Sequence, residues 1–82
     1  MQYLIEIKPQ AVKDGKKIPP KQLERIFDKI ELLSDNLQGN VKRLTNFTPE
    51  YRLRIGNYRV LFEIEHDIVV VYRIKHRKHA YK

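Results

Sequence analysis

The stretch from Tyr51 to Tyr81, YRLRIGNYRVLFEIEHDIVVVYRIKHRKHAY, constrains the fold more than any other part of the chain. It alternates three times over. Tyr51, Leu53 and Ile55 oppose Arg52 and Arg54; Tyr58, Val60, Phe62 and Ile64 oppose Arg59, Leu61, Glu63 and Glu65; Ile68, Val70, Tyr72 and Ile74 oppose Val69, Val71, Arg73 and Lys75. Side chains on a strand alternate with a period of two, so the pattern predicts three antiparallel strands with one core face and one largely cationic face. Gly56-Asn57 is a two-residue hairpin signal because both residue types accept positive φ, and His66-Asp67 is a weaker turn of the same length. The expected meander gathers Arg52, Arg54, Arg59, Arg73 and Lys75 on one surface.

The rest of the chain supplies what such a sheet needs. Tyr3 to Lys8 alternates, with Tyr3, Ile5 and Ile7 on one side, and reads as a first strand stopped at Pro9. A short helical stretch around Ala11-Val12 is interrupted at Gly15. Pro19-Pro20 opens a helix from Lys21 to about Asn36, where Leu23, Ile26, Phe27, Ile30 and Leu33 form one apolar stripe that covers the sheet. Residues 41–48 read as a connector, with Leu44 and Phe47 against the core edge and Lys42 and Arg43 solvated. The expectation is a single α+β domain over residues 1–82: a small antiparallel sheet, N-terminal strand plus three-strand meander, with one or two helices on one face.

Charge then narrows the chemistry. The chain carries a net +7, with +2 over residues 1–50 and +5 over residues 51–82, which favours a polyanionic partner. There is no cysteine, hence no thiolate nucleophile, disulfide or Cys-type metal site. No apolar run reaches a membrane span and no signal-peptide pattern begins the chain, so the expected location is the cytoplasm and no membrane is expected as a partner. There is no phosphate-binding glycine loop, no metal-ligand spacing among His66, His76 and His79, and a single serine, Ser34, so neither a metal nor another cofactor is expected. Arginine, lysine, histidine and tyrosine remain, a set suited to phosphate chemistry without a metal. On RNA, the neighbouring 2′-OH would be the nucleophile, and the protein would supply geometry, proton transfer and positive charge. Arg54 and Arg73 have an equally simple alternative, ion pairing with Glu63 or Glu65; Tyr3, Tyr51, Tyr58 and Tyr72 fall on the expected core face.

YRLRIGNYRVLFEI at 51–64 followed by YRIKHRKHAY at 72–81 resembles the RelE/ParE superfamily of bacterial toxins, and the order strand, helices, three strands fits it over nearly the whole chain. The resemblance implies the toxin of a toxin–antitoxin pair, with a cognate antitoxin as partner and ribosome-bound mRNA as the substrate of a metal-independent endoribonuclease. It also implies that Arg59 stabilises the scissile phosphate, Arg77 is a second phosphate arginine, Tyr81 stacks on the substrate nucleotide, and Arg52 and Arg54 lie on a strand of basic RNA-contacting residues. Arg73, Lys75, Lys78 and His79 extend the expected RNA surface. RelE-type enzymes carry lysine where this chain has Arg52. Arginine is a poor base, so His76 or His79 is the expected proton acceptor. Two further readings stay open: a ParE-like toxin that inhibits DNA gyrase without catalysis, and a non-catalytic RNA-binding module.

Overall fold

Two hairpins build the centre of the molecule. The computed structural model describes residues 1–80, and in it β3 (Tyr51–Ile55), β4 (Tyr58–Glu65) and β5 (Ile68–His76) form the expected antiparallel meander. Both turns use positive φ: 55° at Gly56 and 59° at His66. Glycine has no Cβ to clash there, whereas His66 carries the strain of a side chain in that region.

The remaining strands extend this meander. β1 (Leu4–Ile7) lies beside β5, and β2 (Val41–Arg43) lies beside β3, so the sheet has the order β1-β5-β4-β3-β2. β1 runs parallel to β5, which makes the sheet mixed rather than wholly antiparallel. The first three residues of the expected connector are the edge strand β2, and Leu44 and Phe47 line a surface groove beside it instead of joining the core. Three residues are too few for a period to show in sequence.

Two helices cover one face. α1 (Pro9–Gly15) begins at the proline that ends β1, and α2 spans Pro20–Leu32, ending four residues before the expected Asn36. Asn36 and Leu37, both at φ 57°, instead form a turn whose backbone pairs with the N-terminus: Asn36 N donates to Met1 O and Tyr3 N to Ser34 O. Ala11, Ile18, Ile26, Ile30 and Leu33 pack on Leu53, Ile55, Val60, Phe62, Val69, Val71 and Ile74.

That core corrects the face assignment of β5. Val69 and Val71 point into it, not Ile68, Val70 and Tyr72. The cause is a β-bulge: Leu61 pairs with Arg73 and Phe62 with Val71, leaving Tyr72 as the extra residue. One unpaired residue reverses the phase of everything before it. Ile74 therefore still reaches the core, while Tyr72 and Arg73 both fall on the face without helices.

β1 covers only the first half of β5, pairing with Ile68 to Val71. α1 protects the rest. Asp14 accepts from Ile74 N at 3.0 Å and from Arg73 Nε and Nη2 at 2.8 and 3.0 Å. Its side chain is only 10% exposed. Burial opposes ionisation of Asp14, but the Arg73 guanidinium and the Ile74 N–H outweigh it and hold the carboxyl below its ordinary value. A folded-state value below the unfolded one stabilises the fold above the ordinary carboxylate range, about pH 4, and the gain is lost as pH falls through the folded value. Asp14→Ala should cost about 2 kcal/mol, because it leaves an N–H and a guanidinium without their acceptor. In urea melts from pH 7 to pH 2, the variant should start less stable and lose less on acidification than wild type.

Candidate phosphate-binding face

The register places the cations of the open face in two rows across the strands. One row is Arg54, Arg59 and Lys75, since Arg54 pairs with Arg59 and Arg59 with Lys75. The next is Lys42, Arg52, Leu61 and Arg73. Directly opposed side chains on adjacent strands lie about 5 Å apart at Cβ, and like charges there are destabilising. A fold that opposes Arg54, Arg59 and Lys75 in this way gains nothing from the arrangement itself.

Nor are those charges neutralised. Among the described residues, the ion pairs are Lys8–Glu6, Arg43–Glu50 and Arg73–Asp14. Arg73 is thus held by a helix residue 59 positions away, not by Glu63 or Glu65, and Arg54 pairs with neither. Arg59 Nη1 donates to Gly56 O at 2.8 Å and Tyr58 O at 2.9 Å, which orients the guanidinium against the hairpin turn, and no carboxylate pairs with it among the described residues. Arg52 Nη1 is tied to Asn40 O at 3.2 Å. Lys42, read from sequence as solvated, stands beside Arg52 and lengthens the basic surface.

The acidic residues occupy the other end of the same face. Glu63 pairs in register with Val70, which in turn pairs with Glu6; Glu65 pairs with Ile68 and accepts from the Tyr72 hydroxyl at 3.4 Å. The open face is therefore basic toward the Gly56-Asn57 turn and acidic toward the His66-Asp67 turn.

The histidines are placed differently from the arginines. His76 pairs in register with Tyr58, and the two rings meet edge to face, 5.5 Å between centroids at 80°. Tyr58 packs against the core, so this contact lies on the helix side. His76 and His79 line a groove of about 240 Å³ there with Asp14, Lys17, Ile18, Tyr58 and Ile74. The amide of Lys78 donates to His76 Nδ1 at 3.3 Å, which leaves Nε2 as the ring nitrogen open to another partner. Arg77 sits where the two sides meet: its amide donates to Asn57 O at 2.7 Å, bringing the end of β5 against the hairpin tip, and its side chain is exposed. Lys78 is exposed beside it. Tyr81 lies outside the described residues.

The structure thus brings Arg52, Arg54, Arg59, Arg73 and Lys75 together, sets Arg77 at the adjoining tip, and puts His76 and His79 around the corner. Sequence reasoning missed Asp14 and misplaced Tyr72. Nothing local marks an aspartate whose partner is distant in the chain, and a bulge breaks the very periodicity used to assign faces.

Known proteins share this fold. Residues 5–81 match the family described as the ParE toxin of type II toxin-antitoxin systems, parDE. The chain is 34% identical over 88 aligned positions to RelE1 of Methanocaldococcus jannaschii, covering 100% of this chain and 98% of that one. Among solved structures, the RelB–RelE antitoxin–toxin complex from Methanococcus jannaschii matches with a TM-score of 0.75 at 31% identity, over 89% of this chain and 91% of that chain. The RelBE2 toxin–antitoxin complex of Mycobacterium tuberculosis matches with a TM-score of 0.81 at 28% identity, over 94% of this chain and 100% of the other. A fold matched over its whole length, with relatives named as RelE toxins, places this chain in the ParE toxin family of type II toxin–antitoxin systems, within the RelE/ParE superfamily.

Proposed function

We propose that this toxin is a metal-independent endoribonuclease that cuts mRNA on the ribosome in the cytoplasm, and that a cognate antitoxin restrains it. The observation that carries this reading is the row Arg54–Arg59–Lys75: three cations opposed across adjacent strands, with no carboxylate paired to any of them among the described residues. Such a row is relieved by an anion, and guanidinium groups match phosphate bidentately. The chemistry is an in-line attack of a ribose 2′-oxygen on the adjacent phosphorus. The 2′-O–P bond forms, the P–O5′ bond breaks, the 2′-OH proton leaves to a base and the 5′-oxygen takes up a proton. Arg59, oriented by Gly56 O and Tyr58 O, stabilises the charge that grows on the phosphoryl oxygens. Arg52 and Arg54 hold flanking phosphates, Arg77 and Lys78 hold the strand where it rounds the hairpin tip, and Tyr81 stacks on a base. With Nδ1 accepting from the Lys78 amide, the His76 ring carries its proton on Nε2, which can donate a hydrogen bond to the leaving 5′-oxygen but has no lone pair there to take the 2′-OH proton.

The solved complexes named as RelB–RelE and RelBE2 toxin–antitoxin assemblies support an antitoxin as partner. Among the described residues, no helix is long and apolar enough to cross a membrane. The match to the family described as ParE toxin favours a second reading, inhibition of gyrase without RNA cleavage. Induced expression in bacteria with mapping of mRNA 5′ ends separates the two. Wild type should generate new 5′ ends within coding regions and Arg59→Ala should not. Growth arrest by wild type with no new 5′ ends would reject the nuclease.

A further inference from the structure

The β-bulge in β5 has a product that phosphate binding does not use. It turns Tyr72 out of the core and onto the open face, next to Arg73 and one row from the Arg59 row. Two residues of strand separate Arg73 from Lys75, about 7 Å. Bulges recur where a side chain is re-aimed beside a functional site. Tyr72 is half-buried and lines a groove of about 490 Å³ with Lys8, Pro9, Gln10, Thr48, Pro49, Glu63 and Arg73. The Lys8 ammonium lies 5.8 Å from the Tyr72 ring centroid.

The charges of this groove differ from those of the arginine rows. Lys8 is paired with Glu6 at 3.1 Å and Arg73 with Asp14 at 2.8 Å, so both cations are neutralised. Glu63 has no hydrogen bond or ion pair among the described residues, and its carboxylate repels phosphate. An aromatic ring flanked by two prolines and neutralised cations suits a flat, uncharged group. A free carboxylate at its edge suits a group that donates hydrogen bonds. A nucleobase bearing an exocyclic amino group meets both conditions, and its phosphates would fall on the adjacent cationic rows.

Resting on the reading of this face as an RNA site, we propose that the Tyr72 groove receives one unpaired base of the bound RNA, with Tyr72 as stacking platform and Glu63 as acceptor for the base's amino group. The groove thereby contributes a sequence preference at a fixed offset from the cut. The test measures binding by fluorescence anisotropy, using 5′-labelled, 2′-O-methyl hexaribonucleotides that cannot be cleaved by 2′-OH attack: hexauridylate, and the same hexamer with one central cytidine. Wild type should prefer the cytidine hexamer. Tyr72→Ala should weaken binding about tenfold, while Tyr72→Phe, which keeps the ring, should bind like wild type. Glu63→Gln, at a position that does not touch the core, should reduce the cytidine preference and retain affinity for hexauridylate. Equal binding by wild type and Tyr72→Ala, an unchanged preference in Glu63→Gln, or no RNA binding by wild type would overturn the proposal. So would a Tyr72→Ala protein that keeps RNA affinity and loses antitoxin affinity, which would give the groove to a protein side chain. Tyr72-dependent binding without cleavage of the unmodified hexamers on programmed ribosomes would sustain the groove and reject the nuclease.

Discussion

Phe62→Ala should remove a large share of the fold's stability, about 3–5 kcal/mol. Phe62 is 0% exposed at the centre of the sheet. It stacks on Tyr51 across the β3–β4 pair, with 5.5 Å between ring centroids, and sits opposite Val71 beside the bulge. Truncation leaves a cavity in the core between the helices and the sheet. Total stability of a small domain is of order 5–15 kcal/mol, and a chain of 82 residues belongs toward the low end. Each 1 kcal/mol shifts the melting temperature of such a domain by about 4–8 °C, so thermal melts should show a fall of about 20 °C. Leu32→Ala, at a position 43% exposed on the outer side of α2, should change stability by no more than about 0.5 kcal/mol. Similar losses for the two variants would contradict a core centred on Phe62.

Arg59→Ala should act in the opposite register, with cleavage falling about 10²–10³-fold and stability nearly unchanged. Two terms of similar size oppose each other in the fold. The variant loses hydrogen bonds to Gly56 O and Tyr58 O, worth about 1 kcal/mol together at a partly exposed site. It also removes the repulsion of Arg59 by Arg54 on one side and Lys75 on the other. A site that costs stability and returns activity is the usual trade between fold and function. Urea melts at low and high salt check the electrostatic part: added salt should stabilise wild type more than Arg59→Ala, because only wild type has the full row to screen.

Much of this was legible in the chain because β3 and β4 alternate strictly. Arg52, Arg54 and Arg59 could be placed on one face by counting in twos, and Gly56-Asn57 announced its turn. The apolar stripe of α2 was equally plain, since Ile26, Ile30 and Leu33 recur at helical spacing and all three are buried. Four features needed coordinates. The parallel pairing of β1 with β5 depends on the path of the chain around α1 and α2, which no local pattern encodes. β2 is too short for periodicity. The bulge at Tyr72 exchanges the faces of Val69, Val70 and Val71, three residues of one type whose order carries no signal. Asp14 reads as a surface residue of a weak helix until the edge of β5 is seen to need an acceptor. The histidines show the same limit: Ile74, Lys75 and His76 alternate correctly, but the groove that takes in His76 and His79 is built by residues distant in the chain, Asp14, Lys17, Ile18 and Tyr58.

The row Arg54–Arg59–Lys75, with no carboxylate paired to it among the described residues, is proposed to hold a scissile phosphate. The most direct test of that assignment is a single-turnover assay on programmed ribosomes, with no added metal beyond that of the ribosomes, using mRNA that is either all-ribo or 2′-deoxy at the mapped cut. Wild type should cut the ribo message to leave a 5′-hydroxyl on the downstream fragment, should leave the deoxy message intact, and should outpace Arg59→Ala by at least about a hundredfold. Cleavage of the deoxy message, or equal rates for wild type and Arg59→Ala, would contradict it.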